Sequence, residues 1–147
     1  CESFRANVGA LTLGEDGRLL AFEGAGGLTT EWQMPQGGLL PGEDPQQAIF
    51  REVLEETSLE AEKLDCVDRT EEWVGYELPV SYRSEKTQRG QVQKWFLFRF
   101  KGVDGDIRPD NVEFKNWQWM LPADLLAAAV QFRRPVYRYL FKRFDLM

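Results

Sequence analysis

Apolar residues fall in short blocks along the chain, and their spacing changes from block to block. "FRANVGALTL" (4–13) is apolar and β-prone, "GEDG" (14–17) is a turn signal, and "RLLAF" (18–22) follows, so a hairpin is expected. "GAGG" (24–27) reads as a flexible loop and "EWQM" (31–34) as a short strand stopped by Pro35. "CVDRTEEWVGYEL" (66–78) fits one strand or two, and "SYRSEKTQRG" (81–90) is a polar, mobile loop. In "QVQKWFLFRF" (91–100) strict alternation puts Val92, Lys94, Phe96, Phe98 and Phe100 on one face of a strand, with Gln93, Trp95, Leu97 and Arg99 on the other. "FKNWQWM" (114–120) is a further short strand, and "PADLLAAAV" (122–130) and "PVYRYLFKRF" (135–144) read as helices. Strands mixed with helices, without regular β–α alternation, predict an α+β sandwich. No repeat, low-complexity tract or linker divides residues 1–147, so one domain is expected.

The remaining helix, about Pro45 to Ser58, carries the chemistry. Asp44 suits its N-cap, Pro45 its first helical position, and Gln47 completes a capping-box pattern. At about 100° per residue, Ile49, Phe50, Val53, Leu54 and Thr57 form an apolar side. Glu52, Glu55 and Glu56 share the side next to it and can converge on one point. Glu43, Asp44 and Glu60 add to the acidic crowd, and within it only Arg51 is basic. Like charges on neighbouring turns destabilise a helix. A solvated acidic face is one explanation; a hard divalent cation, which takes oxygen ligands from carboxylates, is the other.

Composition narrows the chemistry further. With 147 residues, 43% of them hydrophobic, the chain can bury a core. No apolar run approaches the roughly 20 residues of a membrane span. No basic-then-apolar signal segment opens the chain. It starts at Cys1, as a trimmed or processed form would, and as a mature lipoprotein also would. Two cysteines without a framework point to a reducing compartment, the cytoplasm, or an organellar stroma if a transit peptide was removed. The absence of histidine excludes Ser–His–Asp and Cys–His catalysis and most zinc sites, leaving carboxylates, Lys, Tyr or a metal-bound water for acid–base work. The net charge of -6 is uneven. Residues 1–80 hold 5 Lys+Arg against 17 Asp+Glu, residues 81–101 hold 6 against 1, and residues 131–147 hold 5 against 1. Two basic segments therefore leave room for a local anion site, although the same residues could merely solvate a loop and a terminal helix.

Gly37, five residues, Glu43, seven residues, then Arg51-Glu52-Val53-Leu54-Glu55-Glu56, with Leu59 beyond, resembles the Nudix box G-x5-E-x7-R-E-U-x-E-E-x-G-U, U being aliphatic. Ser58 departs from its last glycine, at the helix C-terminus, where Gly would relieve a left-handed backbone. The resemblance implies an α/β/α sandwich with a mixed central sheet and a loop–helix–loop box, binding Mg²⁺ or Mn²⁺, two or three ions with substrate, and hydrolysing a nucleoside diphosphate linked to another moiety. "FRANVGALTL", "EWQMPQGG", "GQVQKWFLFRF", "VEFKNWQWM" and "QFRRPVYRYLFKRF" in order look like the branch of RNA pyrophosphohydrolases and diadenosine polyphosphate hydrolases; "WQMPQGG" before "GEDP" leans slightly to the latter. Ala6 stands where that branch commonly has proline.

By this resemblance Glu52, Glu55, Glu56 and a main-chain carbonyl near Gly38 hold the metals. Glu113 completes the site or serves as base, so Glu55, Glu56 and Glu113 are the catalytic candidates. Arg5, Lys94, Arg133 and Tyr137 meet phosphate or base, and Phe132 stacks on a base. Gly37, Glu43 and Arg51 are structural. Lys94 alternates with aromatics and also fits a snorkelling role, and Trp32, Trp73, Trp95, Trp117 and Trp119 fit core positions. The expected partner is a nucleotide, either a dinucleoside polyphosphate or an RNA 5′ end, with no membrane and no duplex DNA; oligomeric state is not legible. Two other readings stand beside the hydrolase. One is a catalytically silent Nudix-fold module binding nucleotide or protein, against which the intact acids argue. The other is a Ca²⁺ cluster without turnover, which lacks the alternating ligand loop of an EF-hand.

Overall fold

The computed structural model describes residues 3–25, 31–84 and 88–147. Strands β1 (Phe4–Leu13), β2 (Leu19–Gly24), β3 (Trp32–Gln33) and β4 (Gln36–Gly38) precede helix α1 (Pro45–Thr57). Strands β5 (Leu64–Arg69), β6 (Val74–Glu77), β7 (Gly90–Phe100) and β8 (Phe114–Met120) follow, then helices α2 (Pro122–Ala128) and α3 (Arg134–Arg143). All eight strands join one mixed sheet. Its centre is β1 against β7, parallel from Phe4↔Gly90 to Leu13↔Arg99; the other pairings are antiparallel.

Both faces of the central strands are apolar, so both must be covered. Val8, Ala10, Leu20, Phe22, Phe96 and Phe98 pack beneath Ile49 and Val53 of α1. The alternate residues Leu11, Leu19, Ala21, Trp95 and Leu97 pack beneath Leu125 of α2 and Val136, Tyr137, Leu140 and Phe141 of α3. The result is a three-layer sandwich, and the two-faced alternation expected for 91–100 is present. No helix among the described residues is long and apolar enough to cross a membrane.

One expectation changes and one open alternative is resolved. The hairpin of β1 and β2 closes only at Leu13↔Leu19, because β4 lies along the same edge of β1, pairing Asn7–Gly9 with Gly38–Gln36. β2 goes instead to β8. Residues 66–78 divide into two strands, β5 and β6, against successive halves of β7. Buried Thr70 fills the break, its Oγ1 accepting the Trp95 N–H at 3.0 Å. Part of the 24–27 loop and residues 85–87 of the polar loop lie outside the described residues.

α1 starts as its sequence dictates: Asp44 Oδ2 accepts the N–H groups of Gln46 and Gln47 at 3.1 and 3.3 Å. The apolar side is shifted from the helical-wheel expectation. Leu54 is exposed, whereas Glu56 is buried and Thr57, whose hydroxyl donates to Val53 O, is shielded completely. The helix ends on Ser58, whose φ of 67° and ψ of 7° lie in the left-handed region. That conformation costs a side-chain-bearing residue on the order of 1–2 kcal/mol. Ser58 Oγ donates to Arg108 O at 3.2 Å, which offsets part of this. Ser58→Gly is therefore expected to stabilise the fold by on the order of 1 kcal/mol. A chemical-denaturation midpoint that falls for this variant would contradict the account.

Candidate functional site

α1 packs over the face of the sheet beside β4 and β1, and a cleft of about 280 Å³ is lined by residues of all three. One wall is acidic: Glu52 and Glu56 from α1, and Glu113 from the turn before β8. The same cleft is also lined by Arg5, Arg133 and the amides of Asn7, Gln33, Gln36 and Gln91. Gly37 and Gly38 form the lip. A Cβ on Gly37 would land on the Glu52 carboxylate, and one on Gly38 would land on the Arg5 guanidinium, so both positions must lack side chains for these groups to approach the backbone.

Glu56 is only 7% exposed, and its Oε2 is buried without a hydrogen-bond partner. Burial, then the hydrogen bond to Glu52 and the charges of Glu52, Glu113 and Asp110, push its carboxyl up to about 9. Asp110 was not singled out from the sequence. Its Oδ1 accepts the N–H groups of Val112, Glu113 and Phe114 at 2.9–3.0 Å, and its own N–H donates to Glu56 O. It therefore fixes the turn that presents Glu113. The Pro109–Asp110–Asn111 turn signal was the available clue.

Glu55 does not join this wall. It is 59% exposed, and its Oε2 lies 3.6 Å from Arg51 Nη1. Among the described residues no three acidic side chains are drawn tightly enough together to form a ready metal cluster, so the expected convergence of Glu52, Glu55 and Glu56 is not the arrangement seen. The Arg51 cation attracts Glu55 outward. Even so, an unpartnered buried carboxylate oxygen facing two more acids fits a hard divalent cation, which would neutralise the charge that the fold confines there.

Arg51 and Glu43 behave as a brace. Arg51 Nε and Nη2 each donate to one Glu43 oxygen at 2.9 Å, Nη2 also reaches Gly38 O at 3.1 Å, and Nη1 meets Glu52 Oε1 at 2.8 Å. Glu43 Oε1 additionally accepts the Leu40 N–H. The Arg51 hydrogen bond, then the Leu40 N–H, hold the Glu43 carboxyl below its ordinary range. The Gly38 carbonyl, implied as a metal ligand, here accepts from Arg51.

The other implied contacts divide. Arg5 lines the cleft. Arg133 does too, its Nη1 donating to Gln33 Oε1 at 3.1 Å. Phe132 instead faces an adjoining, more apolar groove of about 630 Å³ with Trp73, Tyr76 and Val136. Its ring stacks on Tyr76 at 5.9 Å and meets Tyr82 edge-on. Lys94 is outside the acidic cleft, with Nζ 5.0 Å above the ring of half-exposed Trp73. Trp73 thus departs from the core position expected for it, whereas Trp95 is fully buried. Tyr137 corrects the sequence reading: it is 0% exposed, and its hydroxyl accepts the Met34 N–H at 3.0 Å, fastening α3 to the strand edge rather than meeting a ligand.

The sequence profile of the NUDIX domain matches residues 3–140. The chain belongs to the NUDIX family. It is 39% identical to an RNA pyrophosphohydrolase of Roseobacter denitrificans, over 97% of this chain and 92% of that protein. It is 38% identical to one of Methylococcus capsulatus, over 93% and 74%. A Caenorhabditis elegans Ap4A hydrolase in a binary complex superposes with TM-score 0.73 at 21% identity, covering 97% of this chain and 99% of that one. The Escherichia coli dihydroneopterin triphosphate pyrophosphohydrolase gives 0.75 at 20%, covering 94% and 97%. These two solved structures establish the Nudix fold, with α1 as its loop–helix–loop element.

Two outcomes follow from the electrostatics. An acid that binds its proton more tightly folded than unfolded stabilises the fold at low pH. That contribution is complete below about 4.5 and declines as pH rises toward about 9. No histidine titrates in between. In chelator, the melting temperature should thus fall from pH 6 to pH 9, and Glu56→Gln should flatten the slope; an equal slope in both proteins counts against the assignment. Arg51→Ala should lower the melting temperature together with any activity, since it frees Glu43 and Glu52 at once. Loss of activity at unchanged melting temperature and metal affinity would give Arg51 a direct role instead.

Proposed function

We propose that the protein is a metal-dependent Nudix pyrophosphohydrolase that removes pyrophosphate from 5′-triphosphate RNA ends. The observation that carries this reading is the make-up of the cleft, which gathers Glu52, Glu56 and Glu113 with Arg5 and Arg133 around one small polar space. Carboxylates suit hard cations, and guanidinium groups suit phosphate oxygens. Mg²⁺ or Mn²⁺, two or three ions with substrate, held by Glu52, Glu56 and Glu113, would neutralise phosphate charge and lower the pKa of a bound water. Glu55 stays at the rim in this proposal, beside Arg51.

The chain's own groups do the rest. Arg5 and Arg133 draw the polyphosphate in and orient it. In the metal-free fold Glu56 keeps its proton at neutral pH; beside a bound cation it would lose that proton, leaving a carboxylate able to take one from the attacking water. Asp110 keeps Glu113 on the cleft side of its turn. Arg51 stays clear of substrate and sets the position of Glu52.

For the substrate, relatives at 36–39% identity named RNA pyrophosphohydrolase support RNA ends. They outweigh the slight lean of "WQMPQGG" toward dinucleotides. A dinucleoside polyphosphate is the second reading, favoured by the apolar groove at Phe132, which has room for a further base.

Product analysis with Mg²⁺ separates the two. Triphosphorylated RNA should yield pyrophosphate with the higher kcat/KM, and diadenosine tetraphosphate should yield ATP plus AMP more slowly. Glu56→Gln should lower turnover at least about 10²-fold while remaining folded. Undiminished turnover in that variant would remove Glu56 from the chemistry, and a higher kcat/KM on the dinucleotide would reverse the substrate order.

A further inference from the structure

The floor of the cleft holds a buried amide chain whose orientation can be worked out from one end. An indole N–H only donates. Trp95 Nε1 donates to Gln93 at 3.0 Å, which identifies that atom as Oε1 and leaves Gln93 Nε2 to donate. Gln93 Nε2 meets Gln91 at 3.1 Å, so the Gln91 atom there is its oxygen. Asn7 Nδ2, the Tyr76 hydroxyl and Gln36 Nε2 crowd the same oxygen at 2.6, 2.8 and 3.0 Å. A carbonyl oxygen has two lone pairs and is already saturated. The whole chain is therefore fixed by Trp95, whose ring fits because Gly9 beneath it has no Cβ.

Two groups of this amide chain are left over at the cleft. Gln91 Nε2 makes no hydrogen bond among the described residues, although Gln91 is only 8% exposed. Asn7 Oδ1 is buried and unpartnered. One is a donor that solvent still reaches; the other is a buried acceptor, which costs free energy while unsatisfied. Over this corner lies Arg5, whose guanidinium sits against Gly38, the register partner of Asn7. Arg5 makes no ion pair or hydrogen bond among the described residues, so it can swing onto a phosphate and uncover the corner.

A phosphate oxygen would satisfy the donor and repel the acceptor. A hydroxyl satisfies both. In RNA the 3′-oxygen is esterified, so the free sugar hydroxyl is the 2′. We propose that Gln91 and Asn7 read the 2′-hydroxyl of the 5′-terminal nucleotide, making the cleft selective for ribose over deoxyribose. This rests on RNA ends being the substrate.

The test uses a short oligoribonucleotide whose 5′-triphosphate bridges are methylene groups, in all-ribo form and with a single 2′-deoxy sugar at its first nucleotide. Dissociation constants are measured with Mg²⁺. The wild-type protein should bind the all-ribo form about tenfold more tightly. In Gln91→Glu, which keeps the accepting oxygen and replaces the amide nitrogen, the ratio should fall to about one. The added charge weakens both ligands alike and cancels in the ratio. Gln91→Met serves as the neutral counterpart, and melting temperatures confirm that each variant is folded. A wild-type ratio near one, a ratio that persists in both variants, or failure of the wild type to bind either oligonucleotide overturns the proposal. Turnover of ordinary triphosphorylated RNA is measured in parallel. Its absence beside a preserved ribose preference would refute the hydrolase reading while leaving the sugar contact standing.

Discussion

The guanidinium of Arg51 ties the loop before α1 to the helix itself, and the rest of the site depends on that tie. It takes both oxygens of Glu43, the carbonyl of Gly38 and one oxygen of Glu52. Each of these groups belongs to a different part of the cleft: the loop, the glycine lip and the acidic wall. A planar, permanently charged fork can hold all three at fixed angles, and a lysine could not. Because Arg51 engages Glu52 from the side, Glu52 presents its carboxylate over Gly37, where only a glycine leaves space. The brace is part of the packing of the fold, yet its product is the position of a functional oxygen.

The acidic wall shows the opposite economy. Glu56 is held by the burial of its neighbours Val53 and Thr57 and by the backbone link from Asp110, and its inner oxygen has no hydrogen-bond partner. Folding drives an ionisable group into a place that penalises its charge, which is a usual mark of a site built for something else to complete it. The sheet supplies the necessary rigidity. β1 lends Arg5 and Asn7, β4 the two glycines, β7 Gln91, and α1 the carboxylates, so strands and helix converge where β4 ends.

How much of this could be read from the sequence follows from what each feature depends on. α1 was legible because its cap, its first proline and its period are local. The strand over 91–100 was legible because two apolar faces leave a clear alternation. Glu52, Glu56 and Glu113 were legible through spacing and resemblance, and the cleft does gather them. Glu55 was misplaced because helical angles say which way a Cβ points, while the side-chain end answers to Arg51. Tyr137 was misplaced because the resemblance alone assigned it to the ligand, although it shares a face with Leu140 and Phe141. Asn7 and Gln91 gave no signal at all, since an amide in a strand has no spacing rule and becomes informative only when three strands bring its partners together. The short pairing of β1 with β2 was hidden for the same reason: a turn signal announces that two strands meet, not how far they stay together.

The central pairing also sets an order of events for the newborn chain. Phe4 lies beside Gly90 and Leu13 beside Arg99, and β2 waits still longer for β8 at Met120. Parallel partners so distant in sequence close a large loop before any contact rewards it, which slows folding. Until β7 emerges from the ribosome, β1 has two greasy faces and an unpaired edge, a template for other chains as much as for its own partner. The α1 segment, strongly acidic and already capped, is complete by then and lies between the waiting strands. Its charge, which later serves the cleft, would first keep half-made copies of the protein apart.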